Sequence, residues 1–223
     1  MSRLEDNFRK VEPYVPGEQP NLPDMVKLNT NENPYPPSPK VAEALQKFEL
    51  DSLRLYPDPA STDLVNALAE RYHVQADQVY TGVGSDDVLA IAFLTFFNSG
   101  KPILFPDITY SFYDVWAELF QIPYERPALD DAFALRLEDY QCENGGIVIA
   151  NPNAPTGIRQ SEEFLRAVIE ANPNVVVIID EAYADFSGYT ALPLVDEYEN
   201  VVVVQTFSKS RSMAGMRIGY AIS

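Results

Sequence analysis

Residues 201–223 read VVVVQTFSKSRSMAGMRIGYAIS. Consecutive valines suit a strand buried on both faces, as in a parallel sheet. The run then breaks into small polar residues around Lys209, and a second strand-like run spans 217–222. A lysine just beyond a buried strand is poorly hydrated, and desolvation favours the neutral amine. A neutral amine attacks carbonyls, so a Schiff base is its natural chemistry. Arg217 adds a fixed cation suited to a phosphate. Taken alone, the window reads equally well as a loop with ordinary surface charges, and the rest of the chain has to separate the two.

Working outward, the 223 residues suffice for one large core or a core plus a smaller piece. A hydrophobic content of 46% argues for a folded globular chain rather than disorder. The net charge of −17 repels phosphate backbones and anionic membranes, so neither nucleic acid nor membrane is an expected partner. An anionic small substrate would then need a local cationic pocket. Cys142 is the only cysteine, which excludes a disulfide framework and a cysteine metal site. His73 is the only histidine, which removes Ser-His-Asp, Cys-His and most zinc chemistry. The opening MSRLEDNFRK has no apolar leader core, and no run reaches membrane-spanning length. The expected compartment is the reducing cytoplasm.

Residues 1–40 are crowded with prolines, among them Pro13, Pro16, Pro20, Pro23, Pro34, Pro36, Pro37 and Pro39. Such a segment suits neither helix nor sheet interior and reads as an extended arm laid over another surface. The spacing predicts a short helix over 38–48, with Pro39 at its first position and Val41, Ala44, Leu45 and Phe48 on one face. RLYPDP at 54–59 is a turn, and Ser61 or Thr62 caps a helix running to about Tyr72. A strand at 79–83 leads into GVGSDD and an apolar helix from about Asp87. A glycine-rich turn at a helix N-terminus is an anion site, although Asp86 and Asp87 would serve equally as plain N-caps. Strands are further predicted at 103–105, 121–124, 146–150, 175–179 and 201–205, with a helix at 161–171 and a short one within 130–140. Tyr110 falls at a strand-to-helix junction, where side chains point either into a ligand crevice or into the core. Polar motifs repeatedly follow strand ends, the α/β doubly wound pattern with a site outside the strand termini.

Asp180 and Glu181 close the apolar run VVVIID. A carboxylate there is costly to bury without a cationic partner. A metal is one such partner, but no GxxxxGK[ST] loop accompanies it. The other is a cofactor nitrogen: a carboxylate against a pyridine nitrogen keeps it protonated, so that the ring drains electrons from an attached carbanion. With a Schiff-base lysine and a phosphate cup, that cofactor is pyridoxal 5′-phosphate.

In order, NTNENPYPPSP, RLYPDP, GVGSDD, NPNAPTG, DEAYADF and SKSRSMAGMR resemble the fold-type I pyridoxal-phosphate aminotransferases. The arm RKVEPYVPGEQP and the NTNENPYPPSP loop resemble, more narrowly, the histidinol-phosphate aminotransferases. The resemblance implies an incomplete large domain over 56–223, with a mostly parallel sheet and helices on both faces. It also implies an arm over 1–30 and a small-domain and active-site loop segment over 31–55. Lys209 would hold the cofactor and move the substrate proton, Asp180 would pair with the ring nitrogen, and Tyr183 would bond the phenolic oxygen. Tyr110 would stack on the ring. Ser85, Asp86, Ser208 and Arg217 would hold the phosphate, and Tyr56 would reach the phosphate of a neighbouring subunit in a homodimer. Asn33 and Tyr14 would lie near the substrate. Where the family usually reads NPNNPTG, this chain has Ala154, so Asn153, a water or Tyr183 alone would cover the phenolic oxygen.

The family continues into a C-terminal small domain carrying the arginine that binds the substrate carboxylate, so the chain is expected to be a truncated form. The implied reaction is transamination between histidinol phosphate or imidazole-acetol phosphate and glutamate or 2-oxoglutarate, in histidine biosynthesis, with Arg211 as a candidate cation for the substrate phosphate. The alternatives are another aminotransferase, aromatic for example, a pyridoxal-phosphate-dependent amino-acid phosphate decarboxylase, and an inactive scaffold fragment.

Overall fold

The computed structural model describes residues 4–12, 14, 17, 18, 22 and 25–223. Pro13, Pro16, Pro20 and Pro23 of the expected arm lie outside the described residues. The elements are α1 (Pro39–Gln46), α2 (Thr62–Tyr72), β1 (Val79–Gly82), α3 (Ser85–Phe96), β2 (Ile103–Leu104), α4 (Phe112–Phe120), β3 (Tyr124–Glu125), β4 (Ile147–Ala150), α5 (Glu162–Ala171), β5 (Val177–Asp180), α6 (Ala184–Ser187), β6 (Val201–Thr206) and β7 (Gly219–Ile222), with short 3-10 turns between.

The strands form a seven-stranded sheet in the order β1-β7-β6-β5-β4-β2-β3. β7 runs antiparallel to both neighbours and every other pair is parallel. The valine run of β6 is buried throughout, each side chain contributing about 1.5 kcal/mol or more on leaving water. Helices cover both faces. On one face, α3 and α4 bring Phe93, Tyr113 and Trp116 against Val148, Ile178 and Val202. On the other, α2 and α5 bring Leu68, Leu165 and Ile169 against Ile149, Ile179 and Val203.

Register places the functional strand ends side by side. Ala150 pairs with Asp180, Asp180 with Val204, Thr206 with Gly219, and Gly82 with Gly219. The loops after β1, β4, β5 and β6 therefore open at one edge of the sheet, together with the residues just before β7.

Several boundaries differ from the sequence reading. β3 starts at Tyr124 because Gln121 is a left-handed cap that closes α4 on the Ala117 and Glu118 carbonyls. α3 starts at Ser85, since Gly84 at φ 88° turns the chain ahead of Asp87. β7 starts at Gly219 because Arg217 is left-handed, at φ 53°. α1 is capped by Ser38 with Pro39 behind it, as the spacing predicts, but it stops at Gln46 and buries no residue. Its Leu45 and neighbouring Phe48 stay about half exposed.

Candidate active site

The converging loops enclose a cavity of about 240 Å³ at the strand ends. Asp180, Tyr183, Ser208, Lys209, Arg217, Ser85, Asp86 and Tyr110 all line it, with Ala154 in its wall. Strand alternation explains the choice between adjacent carboxylates. Asp180 points to the α3/α4 face with Ile178, and Glu181 to the α2/α5 face with Ile179.

Asp180 is 5% exposed and has no ion-pair partner among the described residues. Burial pushes its pKa up to about 6, against the pull of the Tyr113 hydroxyl and the Ala182 amide. Tyr113 donates to Oδ2 at 2.7 Å from a fully buried position on α4. An acid held this way, dry and short of a counter-charge, is a site for a cation or a protonated ring nitrogen. Sequence reading missed Tyr113. The available signal was its place in the first turn after Tyr110, where the two rings meet edge to face at 5.7 Å.

Glu181 is a separate buried acid. Burial pushes its pKa up to about 7, opposed by donors from Thr190, the Ala191 amide and Gln205. Both carboxyls therefore bind protons more tightly in the folded chain than in the unfolded one. Their contribution to stability is full below the ordinary carboxylate range and is lost as pH rises through about 6 and about 7. Glu181→Gln is expected to flatten the fall in urea midpoint between about pH 4.5 and 7.5. An unchanged slope would show that Glu181 does not titrate in that window.

Lys209 lies past the end of β6, in a loop pinned from several sides. Its Nζ donates to the Thr30 carbonyl at 3.1 Å and sits 5.6 Å from the Tyr183 ring centroid. Asn33 Nδ2 donates to the carbonyls of Lys209 and Ser210 at 3.3 and 3.1 Å. Asn31 Nδ2 donates to the Tyr183 hydroxyl at 2.9 Å. The TNEN segment thus covers the lysine. Asn33 does so through the loop backbone, without lining the cavity itself.

The N-terminus of α3 and the Arg217 guanidinium also meet at the cavity. The first-turn amides of α3 have no intrahelical partner. The Arg217 guanidinium lies beside Gly84, at a distance of 3.5 Å from Asp86 Oδ2. Asp86 also accepts from the Tyr110 hydroxyl at 2.8 Å. Asp87 instead turns back to cap the Val83 amide at 3.0 Å, so of the two acids only Asp86 faces the cavity.

Other expected site residues are not brought into the cavity. Asn153 is buried and fully engaged: Oδ1 accepts from Thr109, and Nδ2 donates to the Ile108 carbonyl and to Thr156. Its amide braces the loop, leaving the methyl of Ala154 at the wall. Tyr56 is fully exposed and does not line the cavity of its own chain. Tyr14 stacks on Phe112 at 4.5 Å, and Phe112 in turn packs against Tyr110 at 5.6 Å. Arg211 points to the other face of the sheet, against Tyr72, Gln205 and Tyr220, so it cannot meet a substrate in this cavity.

A strand-end cavity lined by an amine, a buried acid and a guanidinium, on a mostly parallel α/β sheet, is the architecture of the fold-type I class. The chain belongs to the class I and II aminotransferase family, whose model matches residues 23–223. It is 54% identical over 217 residues to the histidinol-phosphate aminotransferase of Lactococcus lactis subsp. cremoris, a match covering 97% of this chain and 61% of that protein. The chain thus spans about three fifths of the length of this curated relative. Among solved structures, it superposes with a TM-score of 0.81 and 27% identity on a protein from Erwinia carotovora atroseptica provisionally described as a histidinol-phosphate aminotransferase, covering 88% of this chain and 60% of that one. The histidinol-phosphate aminotransferase of Sinorhizobium meliloti, solved with pyridoxal-5′-phosphate, shares the fold at a TM-score of 0.74 and 24% identity, covering 87% and 55% of the two chains.

Proposed function

We propose that the cavity binds pyridoxal 5′-phosphate and that the protein transaminates L-histidinol phosphate with 2-oxoglutarate, reversibly, in histidine biosynthesis. The carrying observation is that Lys209, Asp180 and the Arg217–α3 cradle face one cavity. The identity to histidinol-phosphate aminotransferases supports the substrate. The donor set fits the cofactor: one amine, one dry carboxylate and one cationic cup, each at a strand end. Bound there, the cofactor supplies an electron-withdrawing ring that stabilises negative charge at the substrate carbon.

The chain's own residues do the rest. Asp180 keeps a proton at the ring nitrogen. Lys209 Nζ carries a proton to and from the substrate carbon. Tyr110 would cover one ring face and Tyr183 would hold the phenolic oxygen, the Asn153 amide being engaged by Thr109, Ile108 and Thr156. Ser208, Arg217 and the Ser85 and Asp86 amides take the phosphate. Tyr56, free in this chain, would serve the cavity of a second copy, and Tyr14 and Asn33 would border the substrate. The division into an arm over 1–30, a loop segment over 31–55 and a large domain over 56–223 belongs to the same reading.

The test is single-turnover. The chain is loaded with pyridoxal phosphate and mixed with L-histidinol phosphate, L-phenylalanine or L-threonine phosphate, and loss of the aldehyde form is followed. L-Histidinol phosphate is expected to react fastest. Faster reaction with L-phenylalanine would move the assignment to an aromatic aminotransferase, and release of carbon dioxide would move it to a decarboxylase.

A further inference from the structure

The same strand ends carry a second polar assembly on the face of the sheet away from the cavity. Along β6, Thr206 faces the cavity while Gln205 faces the other way. Arg211 is the centre of this assembly. Its Nε donates to Asp185 Oδ2 at 3.1 Å, one Nη to the Tyr220 hydroxyl at 2.9 Å, and the other to the Tyr72 hydroxyl at 2.9 Å and Gln205 Oε1 at 3.2 Å. The guanidinium also lies 4.8 Å from the Phe207 ring centroid. Gln205 passes the connection on, donating through Nε2 to Glu181 at 2.7 Å. Asp185 accepts in addition from the Ser210 hydroxyl.

A solvated loop cation would not give up its side-chain freedom to be held by α2, α6, β6 and β7 at once. The anchored positions explain the arrangement. Glu181 follows Asp180 directly, Asp185 lies just after Tyr183 in α6, and Arg211 lies just after Lys209. The three cavity residues and the three network residues share the same short backbone segments, with the sheet between them. We propose that Arg211 is a positioning residue, which sets the Lys209 amine against Asp180 and Tyr183 by locking the lysine loop to α6 from the reverse face. The inference rests on the reading of the cavity as the cofactor site. Lysine cannot substitute, because the planar fork serves three directions at once.

The test uses the full chain with Arg211→Lys, Arg211→Gln, Asp185→Asn and Tyr72→Phe. The last two remove one tie each with little change of shape, and they decide the matter if the Arg211 variants do not fold. Two readouts are taken on folded protein: pyridoxal phosphate affinity through Trp116 fluorescence, and acetic anhydride labelling of Lys209 relative to Lys40 without cofactor, by peptide mass spectrometry. Affinity is expected to weaken about tenfold in Arg211→Lys, and Lys209 labelling to rise severalfold over Lys40, with smaller shifts of the same sign in Asp185→Asn. A purely structural role would lower the melting temperature and leave both ratios unchanged, and that result overturns the proposal. If wild-type chain fails to bind pyridoxal phosphate while the labelling ratio still shifts, the cofactor reading falls and the positioning role stands.

Discussion

Lys209→Ala is expected to abolish covalent capture of pyridoxal phosphate. Wild-type chain treated with the cofactor and then borohydride should carry it on one peptide, at Lys209, and the variant on none. Turnover with any amino donor should fall by at least about 10³-fold, since nucleophile and proton carrier are lost together. The structure gives the reason for such selectivity. Lys209 is the lysine that lines the cavity, and its Nζ is already aimed there, held by the Thr30 carbonyl. Exposed Lys40 serves as the control, and Lys40→Ala should capture the cofactor as wild type does. Equal capture by Lys209→Ala would remove the amine from the site and the proposed chemistry with it.

Gly219→Ala is expected to cause a large loss of stability through a single added methyl. A Cβ at this position would meet the carbonyl carbon of Gly84 and the amide nitrogen of Ser85. Both are backbone atoms with no rotamer to yield, so β7 or the turn before α3 must move. Overpacking of this kind costs about 3 kcal/mol. The displaced turn is also the anion cradle, so pyridoxal phosphate affinity should fall with the urea midpoint. Gly215→Ala is the matched control, because its added carbon meets nothing within 4 Å, and it should leave the unfolding free energy within about 0.5 kcal/mol of wild type. A Gly219→Ala chain of normal stability would mean that β7 does not pack on the turn as described.

The cavity residues were legible to different degrees. Lys209, Asp180 and Arg217 announce themselves because charge next to an apolar strand is costly and therefore informative. Tyr110 needed the fold, since an aromatic at a strand-to-helix junction reads equally well as core. Tyr113 was invisible for the same reason: a tyrosine among Phe112, Val115 and Trp116 looks like packing until its hydroxyl is found on Asp180. Asn153 and Arg211 were left open by the sequence for a shared reason. Each is a polar residue within a functional motif whose side chain turns to brace backbone or a neighbouring element. The nature of a side chain is written in the sequence, but its direction is not.

By itself the sequence determined the chemistry on hand and the local structure: which runs are strands, where turns follow them, and which amines and carboxylates sit at their ends. Those properties depend on neighbours along the chain, through burial periodicity and turn stereochemistry. Only the tertiary structure decided the strand order, with β7 inserted antiparallel between β1 and β6, and which of Asp180 and Glu181 meets the cavity. Alternation dictates that adjacent residues oppose one another, but which face each receives is set by the packing of α3 and α4 on one side and α2 and α5 on the other.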